Sequence, residues 1–149
     1  MTSGGELIGL FLEKAIPPGL TPEATAREIK DQGGLFYLEH PYDSSRRHLS
    51  EEAVENLADL IDIVEVFNAR SDEKSNRRAE DLCEILGAAP GAGSDAHTLG
   101  ELGSVYVEMA DFDGPEDFLA NLRSARIVKR RPKYLLMAEA RLRHKIRRP

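Results

Sequence analysis

The sequence predicts an α/β fold, a parallel sheet whose strands are joined by crossover helices. Three observations lead there. Short apolar runs of strand length alternate with segments of helical periodicity along the whole chain. Gly and Pro mark the boundaries between them. Polar residues of metal-ligand type fall at the C-terminal ends of three successive predicted strands, the edge where parallel α/β folds build their sites.

The elements follow in order. Leu7–Leu12 is an apolar run ended by Pro17-Pro18-Gly19. Thr21-Pro22-Glu23 opens a helix: Thr is a good N-cap, Pro fits the first turn and Glu suits the positive dipole end. Gly33-Gly34 stops it. Leu35–Leu38 is the next strand, with Glu39-His40-Pro41 directly after, and Pro41 biases His40 to an extended backbone. Ser50-Glu51-Glu52 caps a helix bearing Ala53, Val54, Leu57 and Leu60 at helical spacing. Ile61–Phe67 is β-branched and reads as a third strand. A helix from Ser71 to Leu86 is expected to turn Ala79, Leu82, Ile85 and Leu86 inward, with Cys83 as core filler. Residues 87–93 form a small-residue strand leading into Ser94-Asp95-Ala96-His97. Ser104–Met109 is a strand, Gly114-Pro115-Glu116 starts a short helix, Ile127-Val128 forms a last strand, and Lys133–Ile146 a final helix.

The chain has 149 residues, room for one core. With 41% hydrophobic and 31% charged residues it is neither disordered nor collagen-like, and no apolar run reaches the roughly 18 residues of a membrane span. The start Met1-Thr2-Ser3-Gly4-Gly5 lacks a basic n-region, and one cysteine fits a reducing compartment, so a cytoplasmic location is expected. Net charge is −6 but uneven: residues 1–122 carry 9 basic and 25 acidic groups, residues 123–149 carry 11 basic groups and one acidic. A domain over 1–131 with a basic tail over 132–149 follows. The final arginines have no interleaved aromatics, which argues against single-strand nucleic acid as a partner and for a solvated helix against the acidic body.

Asp95-Ala96-His97 carries the sharpest chemistry. An extended Asp-x-His turns carboxylate and imidazole to one side, where one ion or two neighbouring ions can be shared. The residues before it are small and leave room for a ligand. The alternative is that Asp95 caps the turn and His97 is a satisfied surface group. His40 at its strand tip is a further candidate ligand, and Glu65 and Asn68 are candidates for orienting metal-bound histidines. Arg46, Arg47 and Arg70 follow these motifs and could reach a phosphate; each also fits a solvated loop.

Gly33-Gly34-Leu35 through His40-Pro41, Val64-Glu65-Val66-Phe67-Asn68-Ala69-Arg70, Gly93-Ser94-Asp95-Ala96-His97 and Leu102-Gly103, in this order and spacing, resemble the C-terminal half of the PHP (polymerase and histidinol phosphatase) superfamily. The resemblance implies a distorted (β/α)7 TIM-like barrel, here partial, with its first strands and helices missing. It implies two or three divalent metals at the C-terminal rim, with His40, Asp95 and His97 as ligands and Glu65 and Asn68 in support. It also implies metal-assisted phosphoester hydrolysis of a small phosphorylated substrate. Two neutral imidazoles with a carboxylate suit Zn, Mn or Fe better than Ca. The superfamily's opening His-x-His is not among the four histidines His40, His48, His97 and His144, and Glu6 falls just after the place of its bridging glutamate. A part-barrel leaves open strand edges, so homo-oligomerisation or pairing with an N-terminal half is expected. The competing reading is a non-catalytic remnant or interaction module with a partial metal site.

Overall fold

The computed structural model describes residues 1–130. The expected helix over 133–146 and the basic tail lie outside those residues. Along the chain run β1 (Ile8–Leu10), α1 (Pro22–Asp31), β2 (Leu35–Leu38), α2 (Glu51–Asn56), a 3-10 turn (Ala58–Leu60), β3 (Ile61–Asn68), α3 (Glu73–Leu86), β4 (Ala89–Gly93), β5 (Val105–Glu108), α4 (Gly114–Arg123) and β6 (Arg126–Lys129). The first four strands form one sheet in the order β1-β2-β3-β4, and β5 pairs with β6 in a second, two-stranded antiparallel sheet. The fold is therefore mixed α/β around a parallel β2-β3-β4 core. No helix among the described residues is long and apolar enough to cross a membrane.

The expected parallel sheet holds for β2, β3 and β4 and is departed from at β1 and in the separate β5–β6 pair. β1 runs antiparallel to β2, with Ile8 opposite Tyr37 and Leu10 opposite Leu35. The cause is the Pro17-Pro18-Gly19 segment, which carries the chain back alongside its own start: the Gly19 N–H donates to Met1 O and the Ser3 N–H to Leu20 O. α1 thus begins at the end of the sheet where β1 began, and β2 must return along β1 in the opposite sense. The antiparallel register, extended two residues beyond β1, sets Glu6 opposite Glu39.

Helix ends form as their residues dictate. The side chains of Thr21, Ser50 and Asp72 accept backbone N–H groups at the starts of α1, α2 and α3. Gly87 closes α3 in the left-handed conformation, φ 62°. Ile85 departs from its expected inner face and is 80% exposed, while Ala79 and Cys83 face the sheet. One face of the sheet offers Phe36, Leu38, Val64 and Val66 to residues of the three helices, including Ile29, Val54 and Ala79. Fully burying a side chain such as Phe36 or Ile29 contributes about 1.5–3 kcal/mol. The opposite face packs Leu35, Ile63 and Ala89 against Leu122, Phe118 and Leu119 of α4. Strand alternation places Tyr37 and Glu65 on this second face, higher toward the C-terminal rim.

Candidate metal centre

The rim is built from the C-terminal ends of three adjacent parallel strands: Glu39-His40 beyond β2, Asn68 ending β3, and Ser94-Asp95 beyond β4. His40 is not extended as its proline neighbour suggested; its φ is 32°. Two hydrogen bonds hold the turn. The His40 N–H donates to Glu65 Oε2 at 2.9 Å, and the Asp43 N–H donates to His40 O at 3.1 Å. A non-glycine residue in this region is strained and persists only where its surroundings over-determine it.

The His40 ring is buried. Its Nε2 lies 3.4 Å from Glu39 Oε2 and 3.5 Å from Glu6 Oε2. Its Nδ1 is buried without a hydrogen-bond partner. Burial disfavours the charged imidazole, but Glu39, Glu65 and Glu6 outweigh it and hold the pKa above the ordinary histidine value. Ligand atoms of Glu6, Glu39 and His40 all lie within 4.8 Å of one another. A buried imidazole nitrogen, Nε2, beside two carboxylates is a donor set that fits a divalent transition ion.

Glu65 sits beneath this group. Its Oε2 also accepts from Asn68 Nδ2 at 3.0 Å. Burial raises its pKa, opposed by the Asn68 amide and the His40 N–H. Asn68 is itself fixed by Asn76 of α3, which accepts its N–H at 2.9 Å and donates to its carbonyl at 3.2 Å. The glycines of β4 make room for this layer. A Cβ on Gly93 would stand 2.6 Å from Glu65 Oε1, and one on Gly91 would stand 2.5 Å from Tyr37 Cε2. The small-residue strand thus accommodates two side chains of the protein's own second layer. Burial, then the Glu65 and Glu39 carboxylates, push the Tyr37 hydroxyl well above its ordinary pKa.

Asp95 and His97 form a second group. Asp95 takes φ 43°, so the pair lies in a turn and not on the extended backbone its sequence suggested. His97 Nδ1 donates to Asp95 O at 2.8 Å, which leaves Nε2 as the ring's remaining nitrogen. Arg46 reaches both residues: its Nη2 donates to Asp95 Oδ2 at 2.5 Å and its Nη1 lies 3.4 Å from His97 Nε2. Glu101, buried, accepts the His97 N–H at 2.7 Å, the Thr98 N–H at 3.1 Å and Arg70 Nη1 at 3.0 Å. The His97 N–H holds the Glu101 carboxyl below its ordinary pKa against the effect of burial, with Thr98 and Arg70 adding to it.

Of the residues singled out by sequence, His40, Glu65 and Asn68 are joined in one hydrogen-bonded layer, and Asp95, His97 and Arg46 in another. Arg70 is engaged by Glu101, and Arg47 is exposed with Nη1 against Met1 Sδ at 3.5 Å. Among the described residues, the close three-ligand group around His40 is completed by Glu6 and Glu39. Glu39 and Glu101 were not among the sequence candidates. Glu39 adjoins a strand-end histidine, which was a usable signal; Glu101 lies in a loop with none.

Residues 73–127 match the family described as PHP-associated. The match supports a PHP-superfamily C-terminal region over residues 73–127. That segment runs from the start of α3 into β6. Two uncharacterized proteins of Methanocaldococcus jannaschii are similar in sequence. One is 33% identical over 136 residues, covering 82% of this chain and 56% of that protein. The other is 50% identical over 70 residues, covering 46% of this chain and 39% of that protein. The chain therefore spans about half the length of these relatives or less. In fold it is similar to the crystal structure of PsfC from Pseudomonas syringae, at a TM-score of 0.60 and 18% identity over 86% of this chain and 54% of that one.

Proposed function

We propose that this PHP-superfamily region binds divalent metal at the strand-end rim and contributes to hydrolysis of a phosphoester. The observation that carries the reading is the buried His40, whose Nδ1 has no protein partner and whose Nε2 faces Glu6 and Glu39. Nε2 is the nitrogen that would share an ion with the Glu6 and Glu39 carboxylates, while Nδ1 on the far side of the ring has no protein partner. Glu6, Glu39 and His40 would hold one ion, and Asp95 and His97 supply donors for another. Zn, Mn or Fe fit imidazole with carboxylate. When bound, such an ion supplies Lewis-acid polarisation of a phosphoryl oxygen.

The chain's own residues would do the rest. Glu65 fixes the His40 turn through its backbone N–H, so the imidazole is held before any ligand arrives. The Arg46 guanidinium, already against Asp95 and partly exposed, is placed to donate to a phosphate oxygen by paired hydrogen bonds. A small phosphorylated molecule is the substrate class this suits.

The test loads the full chain with Mn2+ or Zn2+, removes excess, and measures bound metal and hydrolysis of an aryl phosphate. Wild type should retain metal, with His40→Ala and Glu39→Gln each losing at least tenfold in affinity and retaining the far-UV circular dichroism of the fold. Full metal occupancy in His40→Ala, or no retention by wild type, overturns the reading.

A further inference from the structure

Glu101 stands apart from the groups that a metal would touch, yet it organises the turn that carries two of them. Its two carboxylate oxygens accept three hydrogen bonds: Oε2 from the His97 and Thr98 N–H groups, Oε1 from Arg70. Its own N–H donates to Thr98 O at 3.1 Å, closing the loop on itself. The loop is otherwise exposed, with His97, Thr98, Leu99 and Leu102 all open to solvent. Among the described residues its two leucines, Leu99 and Leu102, belong to neither apolar cluster, and Asp95 within it takes a left-handed backbone that an L-residue disfavours. A buried acidic group at the base of such a loop is there to hold it.

The contacts continue beyond the loop. Arg70 donates its N–H to Asn68 Oδ1 at 2.9 Å, Asn68 Nδ2 donates to Glu65, and Glu65 receives the His40 N–H. A continuous path of hydrogen bonds thus crosses the tips of β2, β3 and β4, from the turn of His40 to the turn of His97.

We propose that Glu101 is a positioning residue that sets the Asp95–His97 turn and, through Arg70 and Asn68, ties it in register to the His40 side of the rim. The inference deepens the metal-centre reading and rests on it for the consequence of positioning, while the positioning itself is a property of the protein alone. Gln at 101 can still accept the two loop N–H groups through its amide oxygen, whereas Ala can accept neither.

The experiment compares wild type, Glu101→Ala and Glu101→Gln as full chains, by amide hydrogen exchange at His97 and Thr98 and by titration with Co2+ alone. Glu101→Ala should raise exchange at both amides at least tenfold, leave the core amides of β3 protected as in wild type, and weaken Co2+ binding at least tenfold. Glu101→Gln, which keeps the acceptor for the two loop N–H groups, should restore exchange at both amides to within about threefold of wild type. Unchanged exchange at His97 and Thr98 in Glu101→Ala overturns the proposal, as does failure of Glu101→Gln to rescue exchange. Co2+ affinity unchanged in Glu101→Ala while its exchange rises also overturns it. If wild type binds no Co2+, the metal-centre reading falls, and the exchange data alone uphold or overturn the positioning role of Glu101.

Discussion

The carboxylate of Glu65 accepts the backbone N–H of His40, its neighbour across the β2–β3 pair, at 2.9 Å. This bond links a buried strand residue to the one backbone turn that aims an imidazole at Glu6 and Glu39. It explains why His40 can hold φ 32°: the N–H that the turn exposes is received by a carboxylate fixed from the other side by Asn68. Burial raises the Glu65 pKa, so its place in the layer is sustained by these donors and by the close backbone of β4.

That closeness makes Gly93 a sharp probe. Its Cβ would stand 2.6 Å from Glu65 Oε1, so Gly93→Ala must shift the carboxylate whose other oxygen receives the His40 and Asn68 donors. The expected cost is about 1–3 kcal/mol, typical of overpacking a filled interior. It should show as a lower urea midpoint with an unchanged m-value. Gly33 offers the contrast: its φ is 70° with nothing within 4 Å of a Cβ, so its substitution is limited by backbone conformation alone. Asn at position 33 should therefore recover stability relative to Ala, because Asn tolerates the left-handed region. At position 93 the larger Asn should be worse than Ala, and equal losses for the two Gly93 variants would count against the steric account.

Asn76 supports the same layer from α3. It takes both the N–H and the carbonyl of Asn68, the backbone groups left over where β3 ends. Asn76→Ala leaves two buried polar groups without partners, and each such loss costs about 1–3 kcal/mol before any relaxation by water. Asn76→Asp keeps an acceptor for the Asn68 N–H and loses the donor to its carbonyl. Its stability, by chemical denaturation, should fall between wild type and Asn76→Ala. An Asn76→Ala protein as stable as wild type would show that this strand end is held by something else.

The strands and caps were legible because each is written locally. Thr21, Ser50 and Asp72 precede apolar periodic segments, and β-branched Ile61–Val66 could scarcely form anything but a strand. The rim position of His40, Asn68 and Asp95 followed from strand order alone. The direction of β1 was not legible, because it depends on where the chain goes between Phe11 and Thr21, and hydrogen bonds to residues 1–3 decide that path. With the direction of β1 went the approach of Glu6 to Glu39. The partner of Asp95 was hidden for a similar reason: Arg46 lies 49 positions away in sequence and reaches it only through the fold. Ile85 was assigned inward by its apolar character, yet the sheet is met by Ala79 and Cys83, one helical face removed.

Cys83 gives a prediction whose sign follows from burial. The thiol lies on the inner face of α3, 6% exposed, with Sγ 3.4 Å from the Ala88 carbonyl that it can donate to weakly. Burial raises its pKa above the ordinary thiol value, only partly countered by Arg123. Since thiolate is the reactive form, labelling by a disulfide reagent near pH 7.5 should be slow in the native protein and should speed up on unfolding in urea. The linkage runs the same way: a folded-state pKa above the unfolded one gives stability that is present below the unfolded value and lost as pH rises through the folded value. Wild type should therefore lose stability at alkaline pH relative to Cys83→Ala, whose site cannot ionise. Rapid labelling of the native protein, or parallel stability curves for the two proteins through alkaline pH, would place the thiol in water and not against the sheet.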